Sequence, residues 1–236
     1  IIDNAFGKFY YTWHIDSKPA QLGWACISRA RIYTVLLRRG KVQVLHDVQE
    51  VYSAVCGDVS LQMPSLKVQD ILIATEVDIL AEENKRRVAK GMTVLAKPNA
   101  DWHYLLTDKE EGYEEAYSVE WKKKRKTTPS LDPDCAFDLS QDPDRRLSWT
   151  TASGALPTLR YSGSLLWMPL LRRWLLAGEL AAASGFPVAD DLAATAQVPL
   201  DSTTAAEATN RDLGNGMHVA QLGAVLAVAL ACAKRI

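Results

Sequence analysis

Two arginines stand two positions apart at the start of an apolar stretch, and their spacing suits the binding of an anion or a base. Arg29 and Arg31 flank the beginning of the run Ile32 to Leu37, which predicts a central strand covered on both faces. Side chains two positions apart on an extended chain project to the same side. Two guanidinium groups there form a fork for phosphate, carboxylate or a base carbonyl. A solvated pair that caps the sheet has the same spacing, so both interpretations stay open.

A glycine-bracketed asparagine, Gly214-Asn215-Gly216, leads into the most apolar part of the chain, Met217 to Ala233. Glycines at a helix N-terminus leave backbone N–H groups accessible and allow a ligand to approach closely. A turn that only begins a core helix has the same composition. The apolar run predicts a helix at the centre of a domain, because it falls short of the roughly 20 clean apolar residues of a membrane span. We therefore expect no membrane association.

A block of charge in the middle of the chain runs from acidic to basic between Asp108 and Lys126. It ends in five consecutive cations, which are Lys122, Lys123, Lys124, Arg125 and Lys126. Such a run can contact a phosphate backbone or serve as a nuclear address. The cationic end of a solvated helix is an equally good interpretation, since a basic run carries no geometry of its own.

Length, charge and cysteine usage set broad limits. The chain has 236 residues, 48% of them hydrophobic, and a net charge of −1, which suits one large or two small globular domains and names no partner. Its four cysteines are scattered without zinc spacing, so we expect reduced thiols in an intracellular protein. The sequence begins with Ile and not Met, and we expect it to be part of a longer protein.

The predicted elements place these residues on strands and helices. Aromatic and β-branched residues predict strands at 9–15 and 31–38, and charge order predicts a helix at 77–90. The small polar stretch from Thr150 to Leu159 has the composition of a loop that passes close to something. A helix near Glu179 should end at Gly185, because Phe186-Pro187 cannot continue it.

Five segments follow one another in a definite order: Gly23-Trp24, Ser28 to Tyr33, Leu156 to Leu159, Arg173 to Pro187, and Gly214 to Met217. In that order they resemble the C-terminal half of the DNA cytosine-5 methyltransferases, over roughly residues 9–40 and 150–235. The chain departs from the family pattern at a few positions: Ile27 replaces Gln, Ala177-Gly178 replaces Pro-Arg, Ser184 replaces Gln, and Gly216 replaces Ser.

The resemblance implies an α/β fold, the trailing part of a doubly wound, Rossmann-like methyltransferase sheet with an irregular, largely helical insert. Residues 1–46 would end the core sheet, and 47–149 would be the variable target-recognition region. Residues 150–236 would return to the core with the closing helices.

The resemblance also implies methyl transfer from S-adenosylmethionine to C5 of a cytosine flipped out of DNA, with RNA as a possible alternative substrate. Arg29 and Arg31 would hold the flipped base or its phosphate. Asn215, Gly216 and Met217 would line the methionine end of the cofactor pocket, and the basic run Lys122–Lys126 would contact nucleic acid. Structural roles fall to Arg173, Glu179 and Phe186, the first two bracing the insert against the core.

The family's nucleophile loop, Pro-Cys-Gln, and its ring-binding Glu-Asn-Val motif do not occur in this sequence, and no cysteine follows a proline. We therefore expect the chain to be inactive alone and to need an N-terminal half, in the same or a complementing chain. In a eukaryote the location would be nuclear. Two other interpretations remain: a catalytically dead nucleic-acid-binding or scaffolding module, and a helical interaction domain that matches by chance. Pairing of strands 9–15 and 31–38, with the last helix packed on them, would argue against the second.

Overall fold

A long antiparallel hairpin follows the short helix α1 (Ile2–Phe6) in the computed structural model, which describes residues 2–160, 163–188, 213–214 and 216–236. Strands β1 (Tyr10–Ser17) and β2 (Arg31–Arg38) pair from Tyr10 opposite Arg38 to Ser17 opposite Arg31. Both predicted strands are therefore confirmed. The expected central position of β2 is wrong: among the described strands it pairs only with β1, and Ile32 on its outer face is 72% exposed.

Two helices cover the inner face of the hairpin. Helix α2 (Val48–Gln62) begins at Asp47, whose carboxylate accepts hydrogen bonds from the backbone N–H groups of Gln49 and Glu50. Tyr52 and Cys56 of α2 pack with Ile15 and Val35, together with Val225, Val228 and Ala229 of the last helix. This pairing and packing argue against the interpretation that the chain is a helical interaction domain whose resemblance to the methyltransferases is due to chance.

The second region has an aromatic core built around a small sheet. Helices α3 (Glu76–Ala89) and α4 (Asp108–Arg125) each begin with a capping box, in which Thr75 pairs with Asp78 and Thr107 with Glu110. The sheet consists of β4 (Phe137–Asp138), β5 (Leu166–Met168) and β6 (Arg173–Trp174), all antiparallel. The buried aromatic residues of this core, from the sheet and from the elements around it, are Trp102, Tyr117, Trp121, Phe137, Trp167 and Trp174.

Helix α5 (Ala177–Ala183) and the closing helix α6 (Val219–Ala231) complete the described elements, with β7 (Ala233–Arg235) after them. Strand β7 pairs antiparallel with β3 (Val42–Val44), so the end of the chain is tied to residues just after the hairpin. The helix α5 stops as predicted: Gly185 has a φ of 79° and the chain turns away there.

The described residues therefore form a mixed α/β structure with small antiparallel sheets. The doubly wound sheet stays a prediction. Helix α2, which lies at the start of the predicted insert, packs with the hairpin and not with the aromatic core. In the part of the chain that is described, every helix is too short or too polar to span a bilayer.

Candidate functional site

The loop before β2 crosses the small polar loop predicted between Thr150 and Leu159. The backbone N–H of Leu156 donates to the Cys26 carbonyl at 2.8 Å, and the N–H of Ser28 donates to the Leu156 carbonyl at 2.8 Å. The Thr158 hydroxyl donates to the Ser28 carbonyl as well. These bonds hold two segments that are about 130 positions apart in the sequence side by side, at the base of the arginine pair.

Arg29 lies at this crossing, and its side chain is only 1% exposed. Its guanidinium donates to the carbonyls of Leu159 at 3.4 Å and Gly214 at 3.0 Å, and also to the carbonyl of Gly216. Burial, helped by the charge of Arg31, lowers the pKa of this guanidinium. Arg29 thus joins the loop before β2, the Leu156–Leu159 segment and the glycine loop.

Arg31 has different surroundings, although it is two positions away. Its side chain is partly exposed, and Nη1 donates to the carbonyl of its own neighbour Ala30 at 2.9 Å. Strand β2 begins only at Arg31, so the rule that places alternate side chains on one side does not extend back to Arg29. The predicted fork of two guanidinium groups does not form. Of the two arginines, only Arg31 is accessible from solvent.

The glycine loop contains a backbone carbonyl that is hydrogen-bonded and a side chain that is exposed. The Gly216 carbonyl accepts from Arg29, whereas the Met217 side chain is 53% exposed. Asn215 lies outside the described residues. Of the three residues expected at a cofactor, Gly216 is therefore fixed through its backbone and Met217 is accessible.

A buried histidine closes the junction between the glycine loop and the end of α5. His218 is fully buried, and its ring lies edge-on to that of Trp24, with centroids 5.5 Å apart. Burial lowers its pKa to about 4. A side chain at Gly185 would come within 2.9 Å of the His218 ring, and the Val219 N–H donates to the Ser184 carbonyl at 3.0 Å. The segment through Gly185 is therefore in direct contact with the start of α6.

Arg173 and Glu179 form a buried, two-pronged ion pair between β6 and α5. The two N···O distances are 2.8 and 2.7 Å, and Glu179 also accepts from the Leu176 N–H at the start of α5. Both side chains are buried, and Phe186 packs against the core cluster that contains Leu175 and Leu180. The pair is inaccessible to a substrate and links the small sheet to the helix.

The basic run lies at the C-terminal end of α4, and its members divide into two groups. Lys122, Lys123, Lys124 and Lys126 are exposed. Arg125 turns inward: it lies 5.1 Å from the centroid of the Trp121 ring and donates to the Thr150 carbonyl at 3.0 Å. The four lysines lie on the surface, where Lys123 and Lys124 are 3.4 and 3.9 Å from the carboxylate of Glu120, and Arg125 is turned away from the surface.

The four cysteines are all buried, and burial raises the pKa of every one of them. The pKa of Cys26 rises to about 11. A nucleophilic cysteine needs a lowered pKa and access to its substrate, and none of the four has either.

A cleft of about 360 Å³, lined by both charged and apolar groups, opens beside the crossing, and no motif in the sequence predicted it. Its walls come from segments widely separated in the chain: Ala25, Ser65, Lys67, Trp121, Arg125, Asp132, Asp134 and Thr150 to Gly154. The composition of Thr150–Leu159 was the one signal of it. Among the residues that are described, no group of three or more His, Cys, Asp or Glu side chains is arranged to hold a metal ion.

No protein-family model matches this chain, and no curated protein sequence is similar to it.

Proposed function

We propose that the chain is the C-terminal part of a cytosine-5 methyltransferase, which transfers a methyl group from S-adenosylmethionine to cytosine in DNA. The observation that carries the proposal is the position of Arg29, whose guanidinium binds carbonyls of both the Leu156–Leu159 segment and the glycine loop. Three of the five segments that carry the family resemblance therefore meet at one side chain. A chance match of scattered short motifs gives no reason for them to meet.

Arg31 is the substrate-binding residue in this proposal. It opens β2 at the end of the hairpin and keeps most of its guanidinium donors available. A donor aimed at a base carbonyl stabilises negative charge that builds on the ring during attack. Arg29 acts one step away, because it holds the loop that carries Gly216 and Met217.

S-adenosylmethionine would supply the methyl group, and the glycine loop would hold its methionine end. Gly216 has no side chain to block a close approach, and Met217 is 53% exposed next to it. The chain's own contribution is to fix that loop by the contacts of Arg29 with the carbonyls of Gly214 and Gly216.

The nucleophile must come from residues outside this sequence, because the four cysteines present are buried with raised pKa values. The ring-binding acid must come from there as well. In this proposal the doubly wound sheet is completed by the same residues, and the β1–β2 hairpin lies at its edge, where antiparallel strands commonly occur in such sheets.

A second candidate is a nucleic-acid-binding module without catalysis. The buried cysteines and the four exposed lysines at the end of α4 favour it, since both are expected of a protein that binds phosphates but does no thiolate chemistry.

The decisive experiment for the methyltransferase is to determine the coding sequence upstream of Ile1 and assay the full-length protein. The upstream sequence should encode a Pro-Cys-Gln and a Glu-Asn-Val motif, and the full-length protein should transfer labelled methyl groups to cytosine in duplex DNA. Arg31→Ala should lower kcat about 100-fold, as loss of a charge-stabilising donor does. Arg38→Ala, at the far end of β2, is the matched control. Absence of both motifs or of methyl transfer would overturn the proposal.

The binding module is tested with the chain itself by measuring how its affinity for a DNA or RNA duplex falls with salt. Replacing Lys122, Lys123, Lys124 and Lys126 by Ser should reduce the slope of log K against log salt by up to about 3–4, if each contacts one phosphate. Four other exposed lysines, Lys8, Lys18, Lys41 and Lys109, give the control variant. Equal slopes for both variants would rule out the run as the contact.

A further inference from the structure

Strand β2 has an open edge among the residues that the structure describes. It pairs with β1 on one side, and on the other side the segment from Ile32 to Leu37 makes no backbone hydrogen bond to another described residue. The N–H of Arg39 donates to the Phe9 carbonyl at 2.8 Å, so the odd-numbered residues of β2 are those that bond to β1. The even-numbered residues of β2 therefore direct their N–H and C=O groups to the open edge.

That edge lacks the features that protect edge strands. Charged side chains, proline and β-bulges normally keep an edge from pairing with another chain. The segment from Ile32 to Leu37 contains no charge and no proline, and its pairing with β1 has no bulge. On the outer face Ile32 is 72% exposed and Leu36 is 38% exposed. The outer face of β1 carries the exposed polar side chains of His14 and Asp16 instead, so β2 is the strand that fits an apolar partner.

The exposed apolar side chains of β2 are arranged symmetrically about Thr34. Ile32 precedes it by two positions and Leu36 follows it by two, so all three project from the same face. When two such strands pair antiparallel with their Thr34 residues opposite each other, Ile32 of each lies opposite Leu36 of the other. Side chains directly opposite on one face have Cβ atoms about 4.5–5.5 Å apart, which is close enough to bury both.

The backbone groups of the open edge fit the same register. Residues 32, 34 and 36 of one strand lie opposite residues 36, 34 and 32 of the other, and each pair can exchange two hydrogen bonds. A shift to the neighbouring registers that keep these bonds would place Ile32 opposite Thr34 or opposite Arg38 of the other strand. Only the register centred on Thr34 matches the exposed apolar side chains with each other.

We propose that β2 pairs antiparallel with β2 of a second copy of this chain, about Thr34, to give a twofold-symmetric dimer with one four-stranded sheet. Both open β2 edges are used in this interface, so it closes as a dimer and does not propagate. The cations that flank the strand do not oppose each other, because Arg31 lies opposite Leu37 and Arg38 lies opposite Ala30. A sheet of two strands is marginal by itself, and the dimer enlarges it to four.

The test is the oligomeric state of the chain, measured by sedimentation equilibrium over a range of concentrations. Thr34→Pro removes an open-edge N–H from each copy and leaves the bonds to β1 in place, as proline does on an edge strand. The dimer Kd should rise about 30-fold, the effect expected for two lost hydrogen bonds. Thr12→Pro, which makes the same change at the outer edge of β1, is the matched control and should leave the Kd unchanged.

Two charged variants test the register. Ile32→Lys and Leu36→Glu should each raise the Kd about tenfold or more, because each places a charge against an apolar side chain on both sides of the twofold axis. The two substitutions combined in one chain should restore dimerisation, since the introduced ammonium of each copy then lies opposite the introduced carboxylate of the other.

A chain that stays monomeric at about 1 mM would overturn the proposal. A dimer that survives Thr34→Pro in a variant of unchanged Tm would also overturn it, as would a dimer weakened equally by Thr12→Pro. A double variant no more dimeric than the two single ones would rule out the register about Thr34. These outcomes are independent of the proposed function, because the dimer is measured without cofactor or nucleic acid and does not require methyl transfer.

Discussion

Two charged residues lie close to the same backbone crossing, and they differ in burial and in hydrogen bonding. Arg29 is 1% exposed and donates to three carbonyls. Asp134 also lies close to this crossing, in the lining of a cleft, and burial together with the charge of Asp132 raises its pKa. A buried charge that donates to carbonyls inside the protein stabilises the fold, whereas a carboxyl group whose pKa is raised by burial costs stability when it is ionised. Arg29 therefore holds the crossing together, and ionised Asp134 does not contribute to its stability.

The largest effect that this contrast predicts is on stability when Arg29 is removed. Arg29→Met should lower the free energy of unfolding by about 4 kcal/mol, because three charge-assisted hydrogen bonds are lost and three carbonyls are left unpaired. Arg31→Ala, the matched control, should change it by less than about 0.5 kcal/mol. Urea unfolding measures both. Similar losses for the two arginines would mean that their surroundings do not differ as described.

The second prediction concerns how the buried residue His218 makes the stability of the fold depend on pH. Because the pKa of His218 falls to about 4 in the folded protein, the unfolded chain binds more protons between pH 6.5 and 4. Stability should therefore fall as the pH drops through that window, by about 2–3 kcal/mol from this residue. Subtracting the profile of His218→Leu from that of the wild type isolates the effect. A flat difference profile would show that His218 is protonated equally in both states.

Close packing around His218 should be measurable as a difference in stability between two glycine variants. Gly185→Ala should cost about 2 kcal/mol or more, from its positive φ and from the contact with the His218 ring. Gly91→Ala shares the positive φ but has open space around it, so it should cost about 1 kcal/mol. The difference between their unfolding free energies measures the contact alone, and equal losses would show that the ring moves aside.

The smallest effect should come from the open cleft, and it should have the opposite sign. Because burial raises the pKa of Asp134, the folded state binds the extra proton, and stability falls as the pH rises through that pKa. Asp134→Asn should therefore raise stability at pH 7, by less than about 0.5 kcal/mol, and leave it unchanged near pH 3. A loss of stability at pH 7 would place Asp134 among the residues that hold the fold.

Local sequence patterns predicted the elements on which these sites lie. The aromatic and β-branched residues of β1 and β2 predicted two strands, and the charge order of α3 predicted a helix within one residue of its observed limits. The stop at Gly185 followed from its residue type and from Phe186-Pro187 after it. Each of these signals depends only on neighbours along the chain.

The parts that sequence could not predict depend on contacts between distant residues. Arg29 and Gly216 are 187 positions apart, so nothing near Arg29 indicated that it is buried while Arg31 is not. The cleft is built from five separate segments and has no local pattern. Strand β2 seemed central because its residues are apolar, but outer-face positions such as Ile32 are exposed among the described residues.

Contacts between residues far apart in the sequence affect how the protein folds during synthesis. The amide of Gln221 in α6 donates to the carbonyl and hydroxyl of Ser17 in β1, which lies 204 positions earlier. At a synthesis rate of about 5–20 residues per second, the ribosome needs roughly 10–40 s to deliver the partner that covers the hairpin. During that interval Ile15 and Val35 of the nascent β1–β2 hairpin are covered by α2 alone and lack the second of their two helices, so a chaperone that shields apolar strands would have its best opportunity there.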